Sequence, residues 1–327
     1  MPARATPLVI DVDTGIDDAF ALLYACASPR ARLVGVSTVA GNVDLARATR
    51  NTRAVLALAR RSAVPVWPGC AAPMLRAQSD ARVFHGASGL GYAELPEPVA
   101  EPSPTHAIDA ILAAASAEPG ALTLVATGPL TNVAAALLRE PALARLLGRF
   151  VLMGGTYREG GNVTPAAEFN IWHDPEAARI VFRAFAADGA APLIAVGLDV
   201  TRQAQLRPAD LDSLSRRCSG LPHAPALLRF LDDSSRRYFE TMEKRTGARV
   251  FTMHDPLAVA AAIDPSLIVT QRVAVDVETI GALTAGMTVA DWRGVWGQPP
   301  NADVAIEVEA PRFVADFFDA MERLARG

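Results

Sequence analysis

Residues 8–19 read Leu8-Val9-Ile10-Asp11-Val12-Asp13-Thr14-Gly15-Ile16-Asp17-Asp18-Ala19, and four carboxylates lie within eight consecutive positions of this segment. The apolar, β-branched run at its start predicts a strand, and the paired Asp17 and Asp18 favour the start of a helix. Like charges this close repel one another. A hard cation would offset that repulsion, because Ca²⁺ takes about six to eight oxygen ligands, many of them from Asp. The segment therefore predicts a strand, a metal-binding loop and a helix.

These carboxylates allow three other interpretations. An EF-hand is excluded because Ile16 stands at the position of the loop glycine and Leu22 at that of the bidentate Glu. An aspartate-nucleophile phosphatase, with Asp11 or Asp13 as the reacting group, is an alternative enzyme. An acidic helix cap explains one or two carboxylates but not four.

Short apolar runs alternate with helical patterns along the chain, which predicts an α/β fold. We expect a single domain, residues 1–327, with a mostly parallel, Rossmann-like central sheet flanked by helices, because the strand runs are apolar on both faces. The predicted strands are Leu8–Val12, Leu33–Val39, Leu122–Ala126, Phe150–Met153, Leu193–Leu198, Ile268–Val277 and Val304–Val308. The predicted helices are Asp17–Ala27, Leu45–Arg61, Thr105–Ala117, Pro129–Leu138, Pro175–Phe185, Pro208–Arg216, Ala226–Lys244 and Pro311–Leu324.

The composition limits the classes of function. The chain has 327 residues and a formal net charge of −4, with no basic stripe, so nucleic acid is not an expected partner. No apolar run is long enough to cross a bilayer, and we expect no signal peptide because strand-like sequence begins at Leu8. Three scattered cysteines do not make a disulfide framework, so we expect a cytoplasmic protein. Lys244 is the only lysine, which disfavours a phosphate-loop or Schiff-base lysine.

Ligands of open parallel sheets lie outside the carboxyl ends of the strands, and this rule selects particular loops. Each selected loop follows a predicted strand and is rich in oxygen ligands, amides or glycine. They are Asp11–Asp18, Ala40–Asn42, Thr127–Asn132 and Gly154–Asn170. Two further segments carry candidate chemistry: His85 within a glycine-rich loop, and the pair His254-Asp255.

Three motifs in this order resemble the nucleoside N-ribohydrolases of the inosine-uridine-preferring family: Asp11 to Asp18, then Glu168-Phe169-Asn170, then His254-Asp255. The resemblance runs from Asp11 to at least Ala258. It implies hydrolysis of the N-glycosidic bond of ribonucleosides, purine or pyrimidine, to ribose and free base, as in nucleoside salvage. The family commonly has Pro where Thr14 stands here.

The resemblance also implies a role for each matching residue. One Ca²⁺ would be held by Asp13, Asp18, the Thr127 carbonyl and Asp255, and Asp13 would be the general base for a Ca²⁺-bound water. His254 would assist the departing base. The remaining substrate-binding candidates surround the ribose and the base: Asp17, Asn42, His85, Met153, Asn162, Glu168, Phe169, Asn170 and Tyr238. Relatives of this family are usually homodimers or homotetramers.

Several points stay open in the sequence. His254 also suits a buried structural histidine at a helix start, and His85 suits either a pocket or a solvated loop. Tyr238 suits either the base or the core, and Met242 does not repeat the aromatic pair of purine-accepting relatives, so the base preference is undefined. A catalytically silent nucleoside-binding module is the non-enzymatic alternative.

Overall fold

Within the part of the chain that the structure describes, eight strands form one central sheet. The computed structural model describes residues 5–98 and 101–327. Within these ranges the strands β1 to β12 are Thr6–Val12, Ala31–Thr38, Val66–Pro68, Thr123–Ala126, Arg149–Met153, Leu193–Val196, Gln205–Leu206, Phe251–Thr252, Ile268–Val273, Val275–Val277, Thr288–Ala290 and Ala302–Val308. The helices α1 to α13 are Ile16–Ala27, Leu45–Leu58, Arg82–His85, Ala107–Ala117, Thr131–Arg139, Leu143–Leu146, Phe169–His173, Pro175–Ala184, Leu198–Thr201, Pro208–Arg217, Ala224–Thr246, His254–Ile263 and Ala310–Arg326.

The strands of the central sheet follow the order β3-β2-β1-β4-β5-β6-β12-β9. Neighbouring strands run parallel from β3 to β12, and β9 at the edge pairs antiparallel with β12. The sheet takes its strands from Thr6 to Val308, which supports the proposal of one domain. The predicted fold class, α/β with a mostly parallel central sheet flanked by helices, is confirmed.

Strand β1 is apolar from Leu8 to Ile10 because helices cover both of its faces. Leu8 and Ile10 belong to the core that α1, α12 and α13 form on one face, whereas Val9 belongs to the core under α4, α5 and α8 on the other. Nearly all of α1 is buried, including Asp17 and Asp18. The strand therefore delivers its terminal carboxylates to a buried edge of the sheet.

The predicted late strand Ile268–Val277 is two strands in the structure. β9 joins the central sheet, whereas β10 pairs antiparallel with β11 in a separate sheet. The chain divides beside Asn301, whose amide group accepts from the Val275 N–H and donates to the Val275 carbonyl. A side chain thus satisfies backbone groups that a continuous strand would have paired, and the apolar pattern of the sequence does not reveal this.

Two helix predictions also differ at the sheet edge that carries the site. The helix predicted from Pro129 begins at Thr131, so Gly128 to Leu130 remain in the loop after β4. Phe169–His173, interpreted as loop, is a short helix. Across the described ranges, no helix combines the length and hydropathy needed to span a membrane.

Candidate active site

The end of β1 and the loop after β2 meet through Asp13 and Asn42. The Asn42 backbone N–H donates to Asp13 Oδ2 at 2.6 Å, and its side-chain amide lies 3.2 Å from Asp13 Oδ1. Glycine is required beside them, since a Cβ on Gly41 would lie 2.1 Å from Asp13 Oδ2. The two loops therefore pack closely enough to hold the Asp13 carboxylate in a fixed orientation.

Helix α1 begins with a second pair of carboxylates. Asp18 Oδ2 accepts from the Gly15 N–H at 2.9 Å, and Asp18 Oδ1 accepts from the Thr127 hydroxyl at 2.8 Å, which ties β4 to α1. Asp17 Oδ1 is buried and has no hydrogen-bond partner among the residues that the structure describes. A buried, unpartnered carboxylate oxygen is costly, so a ligand at this position would relieve a real penalty.

Asp255, in the first turn of α12, completes the cluster. One oxygen from each of Asp17, Asp18 and Asp255 lies within 4.8 Å of the others, and all three residues are buried. Burial, followed by the charge of Asp18, raises the pKa of Asp17 to about 8. The pKa of Asp255 is raised by burial and then by Asp17.

These carboxylates can hold a divalent metal ion. Asp13 lies next to this cluster. Burial, followed by the charge of the neighbouring Asp18, raises the pKa of its carboxyl group. Clustered carboxylates are the donors that hard cations such as Ca²⁺ prefer, and a cation between them would offset both the burial and the repulsion that raise their pKa values. The unpartnered Asp17 oxygen points to the same need for a positive group.

Asp11 lies behind the cluster rather than in the cavity. Its Oδ1 accepts from the Ser37 hydroxyl and from the Asn132 side-chain amide, the latter at 2.8 Å. Burial raises the pKa of Asp11 to about 6. Asp11 therefore connects β1 to β2 and α5.

The loop after β5 is held by Glu168, the N-cap of α7. Its carboxylate accepts from the backbone N–H groups of Asn170 and Gly155, both at 2.9 Å. Burial raises the pKa of Glu168 to about 7. The Asn170 amide donates to the carbonyls of Thr127 and Met153, at 2.7 and 3.1 Å. These contacts bring the loop to the ends of β4 and β5.

A cavity of about 870 Å³ opens above these loops. Twelve of the site residues singled out in the sequence line it, while Asp13 and Asp18 lie beneath it in contact with Asn42 and Thr127. The twelve are Asp17, Asn42, His85, Thr127, Met153, Asn162, Glu168, Phe169, Asn170, Tyr238, His254 and Asp255.

Other lining residues were not predicted, among them Phe84, Trp172, Arg202, Gln205, Arg245 and Thr252. Phe84 and Trp172 lie on the short helices α3 and α7, and Arg202 follows the short helix α9. Gln205 and Thr252 lie on the paired strands β7 and β8, and Arg245 lies on α11. Only tertiary packing brings these residues to the cavity. One signal in the sequence could have identified Arg245. Its helical spacing from Tyr238 and Met242 places all three on one face of α11.

Two neutral histidines line the cavity. The Ile16 N–H donates to His85 Nδ1 at 3.0 Å, so the ring proton lies on Nε2. His254 Nδ1 lies 2.7 Å from the Thr201 hydroxyl. Burial lowers the pKa of His85 to about 4, and burial and Arg202 lower that of His254 to about 3, so both rings stay uncharged near neutral pH.

The sequence and the fold of this chain match those of a known protein family. The sequence model of the family described as inosine-uridine preferring nucleoside hydrolase matches residues 8–315. The chain belongs to this family. It is 39% identical over 319 residues to the inosine-uridine preferring nucleoside hydrolase of Crithidia fasciculata, covering 97% of this chain and 98% of that protein.

Further relatives of this nucleoside hydrolase differ in the specificity that their names state. A pyrimidine-specific ribonucleoside hydrolase of an Enterobacter strain is 38% identical over 312 residues, covering 95% of this chain and 96% of that protein. The solved structure of a purine-preferring ribonucleoside hydrolase from Gardnerella vaginalis has a TM-score of 0.90 at 33% identity, covering 98% of this chain and 99% of that one.

The family assignment confirms the enzyme class and the reaction predicted from the sequence. The protein is a hydrolase of N-glycosyl compounds, and ribonucleosides are its class of substrate. The relatives divide between purine and pyrimidine preference, so family membership leaves the preferred base open.

Proposed function

We propose that this nucleoside hydrolase cleaves ribonucleosides to ribose and free base at the carboxylate cluster, with one Ca²⁺ as its metal. The observation that carries the proposal is the convergence of Asp13, Asp17, Asp18 and Asp255, all buried, at the floor of one cavity. Burying four carboxylates together is costly unless a positive group pairs with them.

The ligands proposed for the ion are Asp13, Asp18, the Thr127 carbonyl and Asp255. When bound, Ca²⁺ would lower the pKa of a coordinated water and orient the ribose hydroxyls. The Thr127 carbonyl accepts from Asn170, and a carbonyl oxygen has a second lone pair for a ligand. One oxygen of Asp17 lies within 4.8 Å of an oxygen of Asp18 and of Asp255. The buried Oδ1 of Asp17 would accept a hydrogen bond from a ribose hydroxyl.

Asp13 is the proposed general base. The Asn42 backbone and side-chain N–H groups fix its carboxylate and leave it next to Asp18, in reach of the attacking water. Removal of the water proton by Asp13 forms the nucleophile that attacks the anomeric carbon. General base catalysis of this kind contributes about 10²–10⁴-fold to the rate.

The ribose would lie over the cluster, held by residues of two loops. Asn42, Asn162, Glu168 and Asn170 supply amide and carboxylate groups at the cavity wall, with Met153 beside them. Cleavage of a glycosidic bond passes through an oxocarbenium-like state, and carboxylates around the sugar stabilise its positive charge.

His254 is the proposed donor to the departing base. We propose the neutral tautomer in which Nδ1 accepts from the Thr201 hydroxyl, so that the Nε2–H donates a hydrogen bond to the base as negative charge develops on it. His85 presents an Nε2–H in the same manner, since its Nδ1 is used by the Ile16 N–H. Phe169 and Tyr238 would contact the sugar and the base from the sides.

The test is the release of reducing sugar from uridine, cytidine, inosine and adenosine by the wild type and by Asp13→Asn. We expect wild-type turnover and a loss of at least about 10²-fold in kcat for the variant, which keeps the shape but loses both the base and one charged ligand of the ion. Full activity of Asp13→Asn would contradict the role of Asp13. Nucleoside binding without any release of base would support the silent binding module instead.

A cytoplasmic location and a homodimeric or homotetrameric state belong to the same proposal. Size-exclusion chromatography with light scattering tests the second point, and a monomer at micromolar concentration would contradict it.

A further inference from the structure

We infer that Arg245 is a specificity-determining residue that favours nucleobases with a carbonyl oxygen over those with an amino group at the same ring position. The inference rests on the proposed function, because it assumes that a ribonucleoside occupies the cavity. It concerns the part of the cavity wall that is lined by aromatic and apolar side chains.

The cavity has two chemically different ends. Carboxylates and amides surround the metal-binding cluster, and such groups suit the hydroxyls of a pentose. Another part of the wall contains aromatic and apolar side chains, which suit a flat heterocycle. Its residues are Val83, Phe84, Tyr238, Met242, Val250 and Arg245. The base of a bound ribonucleoside would therefore face this wall.

Arg245 is the cation of that wall. Tyr238, Met242 and Arg245 follow one face of α11, from a buried tyrosine that is 6% exposed to an arginine at the cavity mouth. The Arg245 guanidinium lies 4.8 Å from the centre of the Phe84 ring, and that ring lies 5.7 Å from the ring of Tyr238. The aromatic column holds the guanidinium next to the cavity.

The Arg245 guanidinium is available to a ligand. In the described ranges it forms no ion pair, whereas Arg249, further along the chain, lies 4.0 Å from Glu243. An arginine has five N–H donors and no acceptor. It can therefore bind a carbonyl oxygen of uracil or hypoxanthine, but it meets the amino group of cytosine or adenine donor to donor.

Two pairs of substrates isolate this contact. Uridine and cytidine differ only in oxo against amino at the same ring position, and so do inosine and adenosine, while the ribose is the same in all four. We expect Arg245→Met to reduce the kcat/KM ratio of the oxo to the amino nucleoside by about 10-fold in the preferred pair, the effect of one charge-assisted hydrogen bond. Arg245→Lys, which keeps the charge and donors, should retain most of the ratio.

Arg249→Met is the matched control, since Arg249 is exposed and does not line the cavity. It should leave all four values of kcat/KM unchanged. Equal losses for oxo and amino substrates in Arg245→Met, or no change in either, would overturn the inference while the wild-type activity upheld the proposed function. A wild type that releases no base from any of the four would overturn the proposed function, and the inference with it.

Discussion

Replacement of Gly41 by alanine should disable the site without unfolding the protein. A Cβ at Gly41 would lie 2.1 Å from Asp13 Oδ2 and 2.8 Å from Pro129 Cδ, whereas ordinary contact begins at 3.4 Å. The difference between 3.4 and 2.1 Å requires the Asp13 carboxylate to retreat by about 1.3 Å. A misplacement of about 1 Å in a reacting group costs about 10²-fold in rate. We therefore expect kcat to fall about 10²-fold, or about 2.7 kcal/mol in activation free energy.

The assay follows release of the base from inosine or uridine under saturating calcium, together with calorimetric titration of Ca²⁺. Gly120→Ala is the control, because Gly120 has φ +73° and no atom lies within 4 Å of the position that a Cβ would take there. That variant should lose about 1 kcal/mol of stability, since a left-handed conformation is strained for alanine, yet keep its activity. Full activity of a folded Gly41→Ala protein would refute the argument that Asp13 must occupy this position.

The remaining predictions concern the effect of pH and the hydrogen bond of His254. In the metal-free protein, Asp17 and Glu168 have pKa values raised to about 8 and about 7, above those of the unfolded chain, so the folded state holds more protons and loses stability as the pH rises through this range. Because Ca²⁺ requires ionised carboxylates, its affinity should rise from about pH 6 to pH 8, and binding should release protons. Titration calorimetry in two buffers of different ionisation enthalpy measures both effects. An affinity that does not change with pH, or a binding heat that is the same in both buffers, would contradict this prediction. Thr201→Val removes the partner of His254 Nδ1, and we expect about a 10-fold lower kcat for inosine but a smaller loss for a riboside with an activated leaving group. Equal losses for the two substrates would argue against His254 as the donor to the base.

The sequence was sufficient to predict the edge of the sheet where the site forms. A strand that is apolar on both faces must be covered by helices on both sides, and that requirement made the fold class predictable from Leu8–Val12 and its successors. The polar loops after parallel strands then had to meet at one edge. For this reason Asn42, Thr127 and Asn170 were predicted near Asp18 although they are distant in the chain.

Part of the cavity wall was beyond the sequence pattern, although His85 and Tyr238 were among the predicted substrate-binding residues. Phe84 lies on the four-residue helix α3, which is too short to have a detectable period. Arg245 lies on a long amphipathic helix, and its distance from Phe84 depends on how α11 packs against α3. The hydrogen bond from the Ile16 N–H to His85 spans 69 residues, so the tautomer of His85 could be assigned only from the structure.

The calcium dependence of nucleoside cleavage tests the central claim most directly. The enzyme is treated with a chelator until elemental analysis detects no divalent metal, and release of base from inosine and uridine is measured before and after Ca²⁺ is restored. Because the floor of the cavity contains four buried carboxylates, we expect turnover to disappear on chelation and to return with Ca²⁺ at about one ion per chain. Undiminished turnover by protein verified to be free of metal would contradict the account.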